Sequence, residues 1–331
     1  MKRKVSPWYM AWVLLLLVAV SGCSVARTPT PRPVLSVGMI LGSGGLGDRS
    51  FNDSAYAGLQ KAQELYGARF HVITRASEEA DMEELRDLLQ QGYDLIVGIG
   101  FENAGYIAAL AQAFPDRRFA VIDTTVEGAN VASVVFREQE GDFLMGVLAA
   151  MLTESKKVGF IGGMDIAPVQ RIESGFRQGV AYQDATVEII ADMAGTFSDS
   201  EVGKSLALAQ YAAGADLIYN AAGRTGLGII EAAQETGALT LGTSGDQRYL
   251  APGHVVGNRP KRVDTAVLAL IEELEAGQFT PGVRSLGLAE GGLGLGPFDE
   301  NLVSAAMLER LETLQAQIVA GQIVVEAPAE P

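Results

Sequence analysis

The chain has 331 residues, 48% hydrophobic and 20% charged, which excludes a disordered or low-complexity polymer and leaves room for two domains at about 100–200 residues each. Its formal charge of −15 argues against nucleic-acid binding, because contact with phosphates needs a basic surface. With two histidines and one cysteine, an internal disulfide and a Cys/His zinc cluster are excluded, and a Ser-His-Asp or Cys-His mechanism would rest on His71 or His254 alone.

Lys2, Arg3 and Lys4 form a basic start, and Trp8 to Val20 is an uncharged run of 13 residues. That is short for a membrane span of about 20 residues and suits a secretory signal. The run ends in Val20-Ser21-Gly22-Cys23, which resembles a bacterial lipobox. There the cysteine receives diacylglycerol and becomes the mature N-terminus. Each buried CH₂ adds about 0.8 kcal/mol of membrane affinity, so two or three acyl chains anchor durably. The expectation is a signal peptide over 1–22 and a lipid-anchored tether over 23–33, where SVARTPTPRP carries three prolines and favours an extended spacer. Cleavage would take the formal charge from −15 to −18 by removing Lys2, Arg3 and Lys4.

The body then alternates short apolar runs with helical periodicity. Val34–Leu41 reads as a strand ending in a glycine-rich loop, followed by a helix over Ser54–Tyr66, a strand near Arg69–Thr74 and a helix near Glu78–Gln91. Met82, Leu85 and Leu89 stripe that helix. Leu95–Gly100 and Phe119–Ile122 are buried-type strands, with a helix striped by Ile107, Leu110, Ala111 and Phe114 between them. The pattern restarts with a strand over Val158–Ile161, a helix over Gln170–Tyr182 and a strand over Val187–Ala191. Ser198 and Glu201 have capping-box spacing for a helix to about Ala213. Leu217–Asn220, Leu239–Gly242 and His254–Gly257 are further strands, with a helix over Gly226–Thr236. Two more helices are striped by Val263, Val267, Ile271 and Leu274, and by Met307, Leu311, Leu314 and Ile318. Such alternation predicts an α/β protein of two doubly wound, parallel-sheet lobes. Loops at the strand ends would line a cleft between the lobes, and the lobes would close on a hinge.

Candidate ligand-binding residues cluster just after strands. The loop Gly42–Asp53 could be taken for a dinucleotide fingerprint, but its spacing is GxGGxG, Asp48 would oppose a pyrophosphate, and no acid ends the second strand. Phe51 is either a core residue under the next helix or an aromatic platform for a flat ligand. Asp123 is either a turn cap or a ligand acceptor. Phe197 stands as a possible opposite wall, with Ser198 and Asp199 equally explained as helix caps. The glycines of 221–228 allow close backbone approach. Lys261, read as opening a helix, is poorly placed for the helix dipole and would suit an acidic or hydroxyl-rich partner.

GGLGDRSFND (44–53), FAVID (119–123), VASVVFREQEGDFLMGVLAAM (131–151), VGFIGGMDI (158–166), FSD (197–199), AAGRTGLG (221–228), GDQ (245–247) and KRVD (261–264) stand in one order. Together they resemble the BMP family (PnrA-like, basic membrane lipoprotein) of ABC-transporter substrate-binding proteins, over about residues 34–325. The resemblance implies a type I periplasmic-binding-protein fold. Its N-terminal lobe would span 34–135, completed by about 257–282, and its C-terminal lobe 136–256, completed by about 283–322. It implies a small-molecule ligand of purine-nucleoside type, an ABC permease as partner, no cofactor and no metal. Phe51 then matches the aromatic that stacks on one purine face, with Asn52 beside it, and Phe197 the aromatic on the other face. Asp123 matches an acid for ribose hydroxyls, Lys261 a lysine supporting the ribose end, and Gly223 a stretch of backbone near the ligand.

Two positions depart from the family. Gly42, with Ser43 next, stands where the family has an acid for the purine edge, and Ser244 stands where it has an acid for the ribose diol. A charged acceptor bond is worth about 1.5–3 kcal/mol, and a serine hydroxyl supplies less. The expected ligand is therefore a purine nucleoside or a related flat heteroaromatic molecule, held outside the cytoplasm by a protein anchored to the bacterial membrane through Cys23. The alternatives are a ligand sensor for a membrane signalling partner, and a nucleoside-processing enzyme that would need a base or a Ca²⁺ site built from Asp48, Asp53 and Asp123.

Overall fold

Short β-branched and aliphatic runs closed by glycine give strands, and the amphipathic stretches between them give helices. The computed structural model describes residues 34–243 and 245–328. The expected signal peptide, Cys23 with its tether, and Ser244 lie outside the described residues. The first lobe is wound from β1 (Ser36–Ile40), α1 (Phe51–Tyr66), β2 (Arg69–Ile73), α2 (Glu78–Gln90), β3 (Leu95–Ile99), α3 (Ala104–Ala113), β4 (Arg118–Ile122) and β5 (Val131–Phe136). The second is wound from α4 (Glu138–Leu152), β6 (Lys157–Gly162), α5 (Ala167–Gln183), β7 (Glu188–Met193), α6 (Ser200–Ala212), β8 (Leu217–Ala221), α7 (Gly226–Thr236), β9 (Leu239–Gly242) and β10 (Val255–Asn258). The chain then returns through α8 (Val263–Glu275) and β11 (Gly282–Leu286) to the first lobe, and ends on α9 (Ala305–Val319).

Both sheets are parallel. The first has the order β2-β1-β3-β4-β5-β11 and the second β7-β6-β8-β9-β10. Strands 1–5 and 6–10 thus follow the same winding, 2-1-3-4-5. In such sheets the crevice that takes ligands opens beyond the carboxyl ends of the strands, where the winding reverses. Here that places it beyond β1 and β3 in one lobe and beyond β6 and β8 in the other. β1 and β3 are buried at every residue, as expected for strands covered on both faces.

Among the described residues, three segments cross between the lobes: Phe136–Glu138, Asn258–Val263, and the stretch after Leu286. Sequence alternation alone did not mark β5, α4 or β11. α4 is buried at twelve of its fifteen residues, so it carries no polar stripe to reveal a 3.6-residue period. β11 is the exposed segment GVRSL and has no apolar run. It pairs in register with β5, from Gly282 with Ala132 to Leu286 with Phe136, so the return to the second lobe comes after Leu286, a few residues beyond the expected 282. Two local expectations also change. α1 begins at Phe51 instead of Ser54, and α6 is capped by Asp199, whose side chain accepts from the amides of Glu201 and Val202, so the Ser198 capping box does not form.

Candidate functional site

The loop after β1 is folded by Asp48. Its carboxylate accepts from the backbone amides of Ser50, Asn52 and Asp53 and from Asn52 Nδ2, at 2.8–3.1 Å. This fixes the entry of α1 and aims Phe51 from the first helical position. Burial pushes the Asp48 carboxyl above its ordinary range, against the pull of these donors. Asp53 accepts from the amides of Gly47 and Arg49. The acids of this loop are thus engaged with their own backbone. Asn52 is buried and braces the same turn, accepting from the Gly42 amide at 2.9 Å while donating to Asp48.

A cavity of about 110 Å³ lies between the strand ends of the two lobes. Gly42, Ser43, Phe51, Asn52, Asp123, Phe197, Gly223 and Lys261 all line it. Ser244 lies outside the described residues, and its neighbours Thr243 and Gly245 line the cavity. Phe51 comes from the first lobe and Phe197, after β7, from the second. Both rings are half-buried against the core, and among the described residues they make no ring contact with each other. The Phe197 ring lies against Gly163, where any Cβ would collide with it. Gly223, at φ 57°, brings its backbone beside the same ring. A second hollow of about 290 Å³ adjoins the first through Ser50, Ser54, Gly245 and Lys261.

The polar end is a chain of alternating charge. Asp123 ends β4 in the left-handed region, φ 68°, which Asp tolerates better than most residues. Its Oδ2 accepts from Lys261 Nζ at 2.5 Å. Lys261 also donates to Glu138 Oε1 at 2.7 Å, and Arg171 Nε donates to Glu138 Oε2 at 2.6 Å. Burial pushes the Asp123 carboxyl up, and Lys261 only partly offsets this. Burial acts on Glu138 in the same direction, but Lys261 and Arg171 together outweigh it and hold that carboxyl low. Asp123 Oδ1 is buried and has no hydrogen-bond partner among the described residues. An unmet buried acceptor costs about 1–3 kcal/mol, more when charged.

Lys261 also lies 5.5 Å from the Phe51 ring centroid and 4.8 Å from that of Phe136. It does not open α8, as the sequence suggested. α8 starts at Val263, and Lys261 sits in the crossing segment, where two carboxylates, not a helix dipole, set its environment. Deeper in the same crossing, fully buried Arg259 grips Asp142 of α4 through Nε and Nη2 at 2.8–3.0 Å, and Tyr219 donates to the same carboxylate. Burial raises Asp142 to about 6 even against the Arg259 charge.

Sequence reasoning did not single out Glu102, Arg224 or Arg259. Glu102 lines the cavity from the turn after β3 and accepts from the Ser43 amide at 2.7 Å. Arg224, after β8, reaches across to the first lobe and donates to the carbonyls of Gly44 and Leu46 at 2.7 and 2.5 Å. Gln247 donates to the Arg49 carbonyl at 3.0 Å, so the cleft is described in a closed form. Glu102, Arg224 and Arg259 each stand just after a parallel strand, the position that also marked Asp123.

The model of one protein family, described as ABC transporter substrate-binding protein PnrA-like, matches residues 35–328. Basic membrane protein A of Borreliella burgdorferi is 31% identical over 96% of this chain and 95% of its own length. An uncharacterized lipoprotein of Pyrococcus abyssi is 33% identical over 86% and 75%. The crystal structure of an ABC transporter system solute-binding protein from Aeropyrum pernix superposes with a TM-score of 0.81 at 31% identity, covering 89% of this chain and 94% of that one. These likenesses agree with the two-lobed parallel-sheet fold and point to a binding protein, not to an enzyme class. The chain belongs to the PnrA-like family of ABC transporter substrate-binding proteins.

Proposed function

We propose that the protein is lipid-anchored through Cys23 outside the cytoplasm and delivers a purine nucleoside, or a close flat heteroaromatic relative, to an ABC permease. The cavity between Phe51 and Phe197 carries this reading, because it has an aromatic wall from each lobe and a polar end made by Asp123 and Lys261. A planar ring enters the open cleft and stacks on Phe51, and the second lobe brings Phe197 over its other face. Stacking of a base on an aromatic side chain is worth about 1–3 kcal/mol. The unmet Asp123 Oδ1 accepts a sugar hydroxyl, and Lys261 fixes the other oxygen of that carboxyl. The names of relatives as lipoproteins support the anchor.

A thermal-shift screen of the purified protein against nucleosides, free bases and flat vitamins tests the reading. A ligand raises stability by RT ln(1 + [L]/Kd), about 2.7 kcal/mol at a hundredfold excess over Kd. Purine nucleosides are expected to give the largest shifts. Shifts confined to ligands without a planar ring would overturn the proposal. Replacing Cys23 with Ser is expected to release the protein from the membrane fraction of expressing cells; a membrane-bound Cys23→Ser protein would contradict the anchor.

A further inference from the structure

Glu102 stands at the place where the winding of the first sheet reverses. β1 pairs with β2 on one side and β3 on the other, and ligands in such sheets approach the gap between the two central strands. Gly42 follows β1 there and offers no side chain. A Cβ on Gly42 would lie 3.4 Å from Glu102 Oε2 and 3.6 Å from Asn52 Oδ1, so an acid at position 42 would face two acceptor oxygens. The acceptor is instead delivered from β3, through the turn at Gly100, whose φ is 92°. The Ser43 amide holds Glu102 Oε2 at 2.7 Å, and the side chain remains about one-fifth exposed where it lines the cavity. Arg75 Nη1 donates to the Glu102 carbonyl at 3.3 Å but stands 4.0 Å from Oε2, too far for a hydrogen bond.

The order along the sheet gives this carboxylate its role. Asp123 ends β4, the next strand after β3, and neighbouring strands are about 4.8 Å apart. The Phe51 ring lies beside Gly100, where the chain leaves β3 two residues before Glu102. A flat ligand on Phe51 whose sugar meets Asp123 therefore turns its other edge toward Glu102. We propose that Glu102 is the specificity-determining acceptor of this site, selecting heteroaromatic ligands that carry a ring or exocyclic N–H donor on the edge remote from the sugar. The inference rests on the nucleoside reading given above and names the part of the ligand that reading leaves open.

Isothermal titration of the purified protein with two probes separates the two ideas. Inosine has a ring N1–H, whereas purine riboside has the same sugar and no N–H on its base. The wild-type protein is expected to bind inosine more tightly by about 10- to 100-fold, the range of a hydrogen bond to a charged acceptor. E102Q and E102A are expected to bring the two affinities within about threefold while retaining purine riboside binding, which also shows that the fold survives. An inosine preference that persists in both variants overturns the role of Glu102 and leaves the nucleoside reading intact. Wild-type protein that binds neither probe overturns both.

Discussion

Lys261 joins two carboxylates at the polar end of the cavity. It is nearly buried and sits between Asp123 and Glu138, both largely or wholly out of water. Removing one partner from a buried ion pair leaves an uncompensated charge and costs about 3–5 kcal/mol. Lys261→Met is therefore expected to lower stability by several kcal/mol in chemical denaturation and to abolish nucleoside binding; wild-type stability would show that the two carboxylates find other partners. Asp123, Phe51 and Phe197 were legible as candidates because each follows a predicted strand, although a turn cap or a core ring explained them as well, and Lys261 was singled out for a helix start that it does not occupy. Glu102 was not, because a lone glutamate between a glycine turn and a helix reads as surface. Only the side-by-side placement of β1 and β3 brings it to Gly42. Asn52 was legible as a neighbour of Phe51, but its bonds to Gly42 and Asp48 make it first a brace of the loop.

At the scale of elements, the helix pair α4 and α5 ties the site to the second lobe. Gly175 and Gly179, one turn apart on α5, press against the backbone of Gln139 and Phe143 on α4, and Gly146 of α4 presses against Phe176 and Val180. A methyl group at any of these positions meets main-chain atoms that cannot rotate away. Overpacking of this kind costs about 1–3 kcal/mol. Gly179→Ala is expected to fall at the upper end, as a lower midpoint in urea unfolding with an unchanged slope; an unchanged midpoint would contradict the close packing. This contact also sets Glu138 and Asp142, one turn apart on α4, against Lys261 and Arg259 of the crossing. The alternating strands and helices were readable because each has one period of apolar residues. α4 was not, since nearly all its faces are buried, and β11 was not, since its place comes from register with β5 and not from its own hydrophobicity.

On the scale of the molecule, closure is held at the mouth of the cleft by a few polar contacts and in the crossings by buried charge. Arg224 donates to two carbonyls of the opposite lobe, and such charge-assisted bonds are worth about 1.5–3 kcal/mol when well made. Arg224→Ala is expected to speed ligand dissociation by roughly tenfold with little change in association, since differences within one interface fall mainly on the off-rate. Stopped-flow fluorescence would read this, and an unchanged off-rate would remove Arg224 as a latch. Binding in this cleft is expected to depend on a planar solute held between one benzyl ring from each lobe. Calorimetric titration of a purine nucleoside into the wild-type protein and into Phe51→Ala tests that most directly. Saturable one-to-one binding, weakened by about 1–3 kcal/mol in the variant, is the predicted result; equal affinity for the two proteins would contradict it.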